Sequence, residues 1–92
     1  MNMNISDIRV RLVKSETSKV KASVSFTIDN CFVVHDVRVI EGEDGYFAAM
    51  PSRKSPEGFK DIVHPLDTPT RVELNALIIK AFEEAKANQT EE

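Results

Sequence analysis

The chain has little that could act as a covalent staple. Cys31 is its one cysteine among 92 residues, so no intrachain disulfide can form, and the usage fits a reducing compartment. Glycine is scarce: Gly42, Gly45 and Gly58 match neither dinucleotide-binding nor P-loop spacing. With two histidines and one cysteine there is no paired spacing of the kind that holds zinc. No segment approaches the length that spans a bilayer, and residues 1–10 hold no apolar run of signal-peptide length. The expectation is a cytoplasmic protein without membrane attachment, cofactor, metal or small-molecule substrate. Nor is there an excess of positive charge. Twelve basic against fifteen acidic residues give a net charge of −3. That excludes a uniformly cationic coat but not a local patch, because the field depends on where charges sit. At this length one domain is expected, small enough that association is a common source of further stability.

What is present is first a distribution of charge. The acidity lies in residues 41–44 and in the segment after 72, while 1–40 and 51–71 are mildly basic. The hydrophobic pattern is equally divided. In "ISDIRVRLV" Ile8, Val10 and Leu12 alternate with Asp7, Arg9 and Arg11; in "KVKASVSFTID" Val20, Ala22, Val24, Phe26 and Ile28 alternate with polar residues. Period two marks two half-buried strands, joined as an antiparallel hairpin. "CFVVHDVRVI" is a third strand, with Val33, His35, Val37 and Val39 on one face and Phe32, Val34, Asp36, Arg38 and Ile40 on the other. Apolar residues on both faces suggest a central strand or one covered by a partner. Asp44-Gly45 signals a hairpin turn into a fourth strand, "YFAAM", stopped by Pro51. Ser55-Pro56-Glu57-Gly58 fits a type I turn, and "FKDIVH" a short fifth strand.

After Pro65 the period changes. Leu74, Leu77, Ile78, Ala81, Phe82 and Ala85 recur at helical spacing, giving an amphipathic helix. Its N-cap is either Thr68, with Pro69 at the first helical position, or Thr70 in a capping box with Glu73. The fold class expected is α+β: a small antiparallel β-sheet of four to five strands packed by a C-terminal amphipathic helix. The core runs over about residues 4–86, and 87–92 form a fraying tail.

Few residues suggest catalysis. His35-Asp36 would point to opposite faces of a strand and could not share a metal, so His35 reads as a hydrogen-bonded structural residue. His64 reads as structural at a strand end, and Cys31 as a small buried hydrophobe, too far along the strand from His35 for a nucleophile–base pair. The basic residues are more informative. Arg53, Lys54 and Lys60 flank the Pro-Gly turn with Glu57 opposing them. Arg71 falls in the first helical turn, where a cation opposes the helix dipole, a placement that hints at another use. A second basic group, Arg9, Arg11, Lys19 and Lys21, lies on the outward faces of the first hairpin.

"FVVHDVRVIEGEDGYFAAMPSRKSPEGFKDIVHP" resembles the stage V sporulation protein G family, SpoVG, in its valine-rich strand into "HDVRV", its acidic Gly turn, its "FAAMPS" with a following basic pair, and its "DIVHP". "ISDIRVRLV" and "TRVELNALIIKAF" match as well, so the resemblance spans about residues 4–83. The segment "PEGFKD" is one residue shorter than in some members, which bears on where Lys60 points. The resemblance implies a non-enzymatic regulator of septation, and of sporulation in spore formers, that dimerises through its sheet and binds DNA and in some members RNA. The family's basic pair falls on Arg53 and Lys54, with Lys60 and Arg71 as supporting contacts. The alternative is a protein-interaction module of the division pathway that does not touch nucleic acid, which the net negative charge favours.

Overall fold

A computed structural model describes residues 3–14 and 17–88. The arrangement is α+β. Strands β1 (Ile5–Leu12), β2 (Val20–Ile28), β3 (Phe32–Gly42) and β4 (Gly45–Ala49) form an antiparallel meander in the order β1-β2-β3-β4. Two further strands, β5 (Ser52–Ser55) and β6 (Gly58–Asp61), pair only with each other. Helix α1 (Thr68–Asn88) closes the chain. No helix of the described residues is long and apolar enough to cross a membrane.

The core follows from the two periods. β2 contributes Ala22, Val24 and Phe26, two apart; α1 contributes Leu74, Ile78 and Phe82, four apart; β3 contributes Val34, Val37 and Val39. Ile8, Val10 and Leu12 of β1 pack along its flank, as expected from their alternation. Tyr46 of β4 lies with its ring centroid 4.8 Å from that of Phe82, and Lys86 Nζ donates to its hydroxyl at 2.9 Å. Asn75 of α1 also reaches the sheet, where its Oδ1 accepts the Ala48 N–H at 2.7 Å.

β3 departs from simple alternation. Val34 and Val37 are three apart yet both buried, because Val24 pairs with Val37 while Phe26 pairs with Val34. His35 and Asp36 together oppose the single residue Ser25, a β-bulge in which Asp36 takes φ +64°. Neither set of facing residues expected from period two survives intact: the bulge shifts the phase, so Val34, Val37 and Val39 face the core while His35 and Asp36 are both exposed. β1 carries a matching irregularity. Asp7 and Ile8 fall opposite Phe26, and Asp7 has φ +48°. Aspartate tolerates this left-handed region better than most non-glycine residues. The two bulges flank β2 at neighbouring levels and increase the local twist there.

Other expectations are corrected by the turns. Asp29 and Asn30 both have positive φ, and the Cys31 N–H bonds the Ile28 carbonyl at 3.0 Å. Cys31 is therefore an exposed turn residue and not a buried one. The strand at "FKDIVH" ends at Asp61, because the Ile62 N–H bonds Pro51 O at 2.7 Å at the base of the ribbon and β5 offers no backbone beyond it. Ser52–Ser55, unremarkable in sequence, is its partner, so the extra strand belongs to a separate two-stranded sheet.

The helix start is neither of the two foreseen. Asp67 is the cap: its carboxylate accepts the Thr70 N–H at 2.8 Å and its carbonyl accepts the Arg71 N–H at 3.1 Å. Hydrogen bonds from Thr70, side chain first and backbone second, hold the Asp67 carboxyl below its usual value. The helix continues through residues 87 and 88 where fraying was expected; 89–92 lie outside the described residues.

Two outcomes are expected. Phe82, 2 % exposed, anchors the helix, so Phe82→Ala should cost about 3–5 kcal/mol, a large part of a small domain's stability. A thermal or urea melt that barely moves would mean the helix does not dock. Asp67→Ala should lower the melting temperature at neutral pH. Since the folded carboxyl value is depressed, the cap's contribution is complete above about pH 3.9 and is lost as pH falls through the folded value. The gap between variant and parent melting temperatures should therefore close in acid; a gap that persists unchanged to pH 2 would exclude an ionised cap.

Candidate nucleic-acid interface

The β5–β6 ribbon is built by its turn. Ser55 pairs with Gly58 across the two-residue loop Pro56-Glu57, and the Ser55 hydroxyl donates to Gly58 O at 2.7 Å. Proline presets the first turn position, and Gly58 takes φ +116°, a conformation that favours glycine. The hairpin after β3 repeats the plan, with Glu43-Asp44 in the loop and Gly45 at φ +125°. All residues of β6, and all of β5 except Ser55, are exposed, so the ribbon has no face on the core.

The register sorts the cations. Arg53 lies opposite Lys60, and Lys54 opposite Phe59. Because successive side chains alternate, Arg53 and Lys60 share one face, while Lys54 shares the other with Phe59 and Asp61. Like charges directly opposed across a strand pair destabilise it. Lys60 Nζ is partly compensated by Glu57 Oε2 at 3.2 Å, an exposed pair of small energetic weight. Arg53 and Lys54 have no ion-pair partner among the described residues. The Arg53–Lys60 face thus presents two neighbouring cations, of which only Lys60 has an ion-pair partner, the exposed Glu57.

The remaining site residue falls elsewhere. Arg71 is exposed on α1 and lines a recess with Phe47, Met50 and Asn75 at the β4 side of the helix, not with the ribbon cations. The first-hairpin group is also divided. Arg9 and Arg11 line a shallow polar depression with Ser23, Ser25, His35 and Asp36 on the outer sheet face, whereas Lys21 is engaged with Glu41 at 3.8 Å. His35 therefore meets Asp36 on one surface of the sheet and is solvent-exposed, not a satisfied interior histidine. His64, also exposed, is held locally: its Nδ1 donates to Pro65 O at 2.9 Å.

An apolar recess of about 420 Å³ opens between the helix start and the sheet, lined by Phe26, Ile28, Val34, Val63, Leu66 and Leu74 among others. Its polar rim consists of His64, Thr70 and Asp67, and Asp67 is occupied in capping. It offers no nucleophile paired with a base. Among the described residues no group of three or more His, Cys, Asp or Glu could hold a metal ion.

Comparison with known proteins places the sequence in a family. The model described as SpoVG matches residues 3–84. The chain belongs to the SpoVG family. A SpoVG protein from Thermoanaerobacter sp. is 56 % identical over 88 residues, covering 95 % of each chain. One from Clostridium perfringens is 54 % identical over 85 residues, covering 91 % of this chain and 93 % of the relative. One from Caldanaerobacter subterraneus is 54 % identical over 89 residues, covering 96 % and 97 %. Each carries the name "Putative septation protein SpoVG". The SpoVG match takes in the bulged "HDVRV" strand, the "SRKSPEGFKD" ribbon and most of the helix. Phe59, whose partner across the ribbon is Lys54, drew no attention in the sequence; the available signal was an aromatic residue between a turn glycine and a lysine in a strand too short to bury it.

Proposed function

We propose that this protein is a non-enzymatic cytoplasmic regulator of septation, and of sporulation where the host forms spores, that binds DNA or RNA as a homodimer through the β5–β6 ribbon. The septation role comes from the names its relatives carry. The nucleic-acid reading rests chiefly on one observation: Arg53 and Lys60 stand side by side on an exposed ribbon that contributes nothing to the core. A like-charge pair in that position is compensated when a phosphate bridges it. Lys54 extends the positive field to the other face. Arg71 is a secondary contact, reached only by a polyanion long enough to run from the ribbon towards the β4 side of the helix.

Homodimerisation is supported by apolar surface. Phe32, Val33, Ile62 and Leu66 are 71, 51, 61 and 94 % exposed in the single chain, apolar area that association would remove from water. Light scattering at micromolar concentration should give about twice the 10.3 kDa chain mass. A mass near that of one chain would remove the dimer from the proposal.

Salt dependence tests the ribbon. Two ribbons offering Arg53 and Lys60 engage about four phosphates, giving a slope of log affinity against log salt near −4 on duplex DNA. Arg53→Ala with Lys60→Ala should reduce its magnitude by about 2 per protomer engaged and leave the melting temperature nearly unchanged, because both side chains are exposed. Arg9→Ala with Arg11→Ala, on the outer sheet face, should leave binding intact. Loss of binding in that second pair but not the first would move the interface to the sheet. No mobility shift with random DNA or RNA pools at low salt would leave the protein-interaction reading, which the net charge of −3 favours.

A further inference from the structure

Phe59 is 76 % exposed on a strand whose every residue faces solvent. Its neighbours along β6 are Gly58, Lys60 and Asp61, and its partner across the ribbon is Lys54. An aromatic ring so placed adds almost nothing to the ribbon's own stability. It is also a poor centre for a subunit contact, because burying it would carry Lys54 and Asp61 from the same face out of water with it. The exposed apolar residues Ile62, Val63 and Leu66 follow the end of β6 in the chain, and the Ile62 N–H is tied to Pro51 O at the ribbon's base.

What does fit a ring beside an ammonium is a nucleotide. Directly opposed residues on one face of an antiparallel pair have Cβ atoms about 5 Å apart, within the span from a base to its own phosphate. We infer that Phe59 stacks on an unpaired base while Lys54 holds the phosphate of the same strand, making the ribbon selective for single-stranded over duplex nucleic acid. A base exposes its π-face only when it is unpaired and splayed out, which a duplex does not allow without unstacking. Asp61, on this face but nearer the ribbon's base, repels phosphate and keeps the backbone towards Lys54 and the turn. Arg53 and Lys60 on the opposite face then meet flanking phosphates, Lys60 exchanging its exposed Glu57 partner for one of them. The inference rests on the ribbon being the nucleic-acid interface.

The test uses fluorescence anisotropy with a labelled 20-nucleotide oligothymidylate and a labelled 20-base-pair duplex, at one low salt concentration. The parent protein should bind the single strand more tightly. Phe59→Ala should weaken single-strand binding by roughly 5- to 150-fold, the range for one lost base stack, and leave duplex affinity and the melting temperature unchanged. Phe59→Trp should retain single-strand binding, and because the chain has no other tryptophan, its emission should be quenched on adding the oligonucleotide. If the parent binds the single strand and Phe59→Ala binds it equally well, the stacking assignment is wrong while the ribbon interface stands. If the parent binds neither probe, the interface itself falls and the inference with it. If Phe59→Ala halves the mass seen by light scattering, the ring belongs to a subunit contact and the inference is overturned.

Discussion

Leu74, Ile78 and Phe82 leave α1 about one turn apart and land on the inner faces of β2 and β3, among Ala22, Val24, Phe26, Val34, Val37 and Val39. A four-stranded sheet is about 15 Å across, and a helix with its side chains only 10–12 Å, so one helix cannot cover a flat sheet of this width. The bulges at Asp7–Ile8 and His35–Asp36 answer that geometrical problem, because extra twist on both sides of β2 wraps the flanks towards the helix. Tyr46 against Phe82, and Asn75 on the Ala48 amide, complete the closure on the β4 side.

With the core supplied by the sheet and α1, the segment between β4 and α1 is released from packing. The chain uses that freedom to carry a ribbon in which Arg53, Lys54, Lys60 and Phe59 are all exposed. An overall negative charge does not conflict with a local cationic ribbon. The acids at Glu41, Glu43 and Asp44 sit at another hairpin, between β3 and β4. The field around the ribbon is set chiefly by what lies within a Debye length of about 8 Å at physiological salt.

Much of this was legible from period and turn chemistry. β1 and β2 alternate cleanly, the helical stripe is unambiguous, and glycine at positions 45 and 58 marks both tight hairpins. The family resemblance rested on runs that lie within the matched residues 3–84. What was illegible has local causes. A bulge leaves no mark in a hydrophobic pattern read at strict period two, so His35 and Asp36 were assigned to opposite faces. Asp67 was passed over because the threonines beside Pro69 also fit capping patterns. Cys31 was drawn into β3 by the apolar run after it, although two consecutive positive φ values at Asp29 and Asn30 carry the turn one residue further. Ser52–Ser55 has no apolar residue to announce a strand; it pairs because the Pro56-Glu57 turn folds β6 back onto it. The cations at the ribbon could be named in advance, but which of them share a face depended on a register the sequence does not print.

The amide of Ala48 has one further consequence. β4 is an outermost strand, and a row of free N–H and C=O groups there would be a template on which another polypeptide could lengthen the sheet. Asn75 takes that amide at the fourth position of a five-residue strand, so one donor of an already short template is withdrawn. On the opposite border, the irregularity at Asp7–Ile8 leaves only Arg9–Leu12 as a regular run. Both borders are short and spoiled. Short, interrupted borders of this kind make it harder for the sheet to be lengthened by another polypeptide into a continuous β-structure.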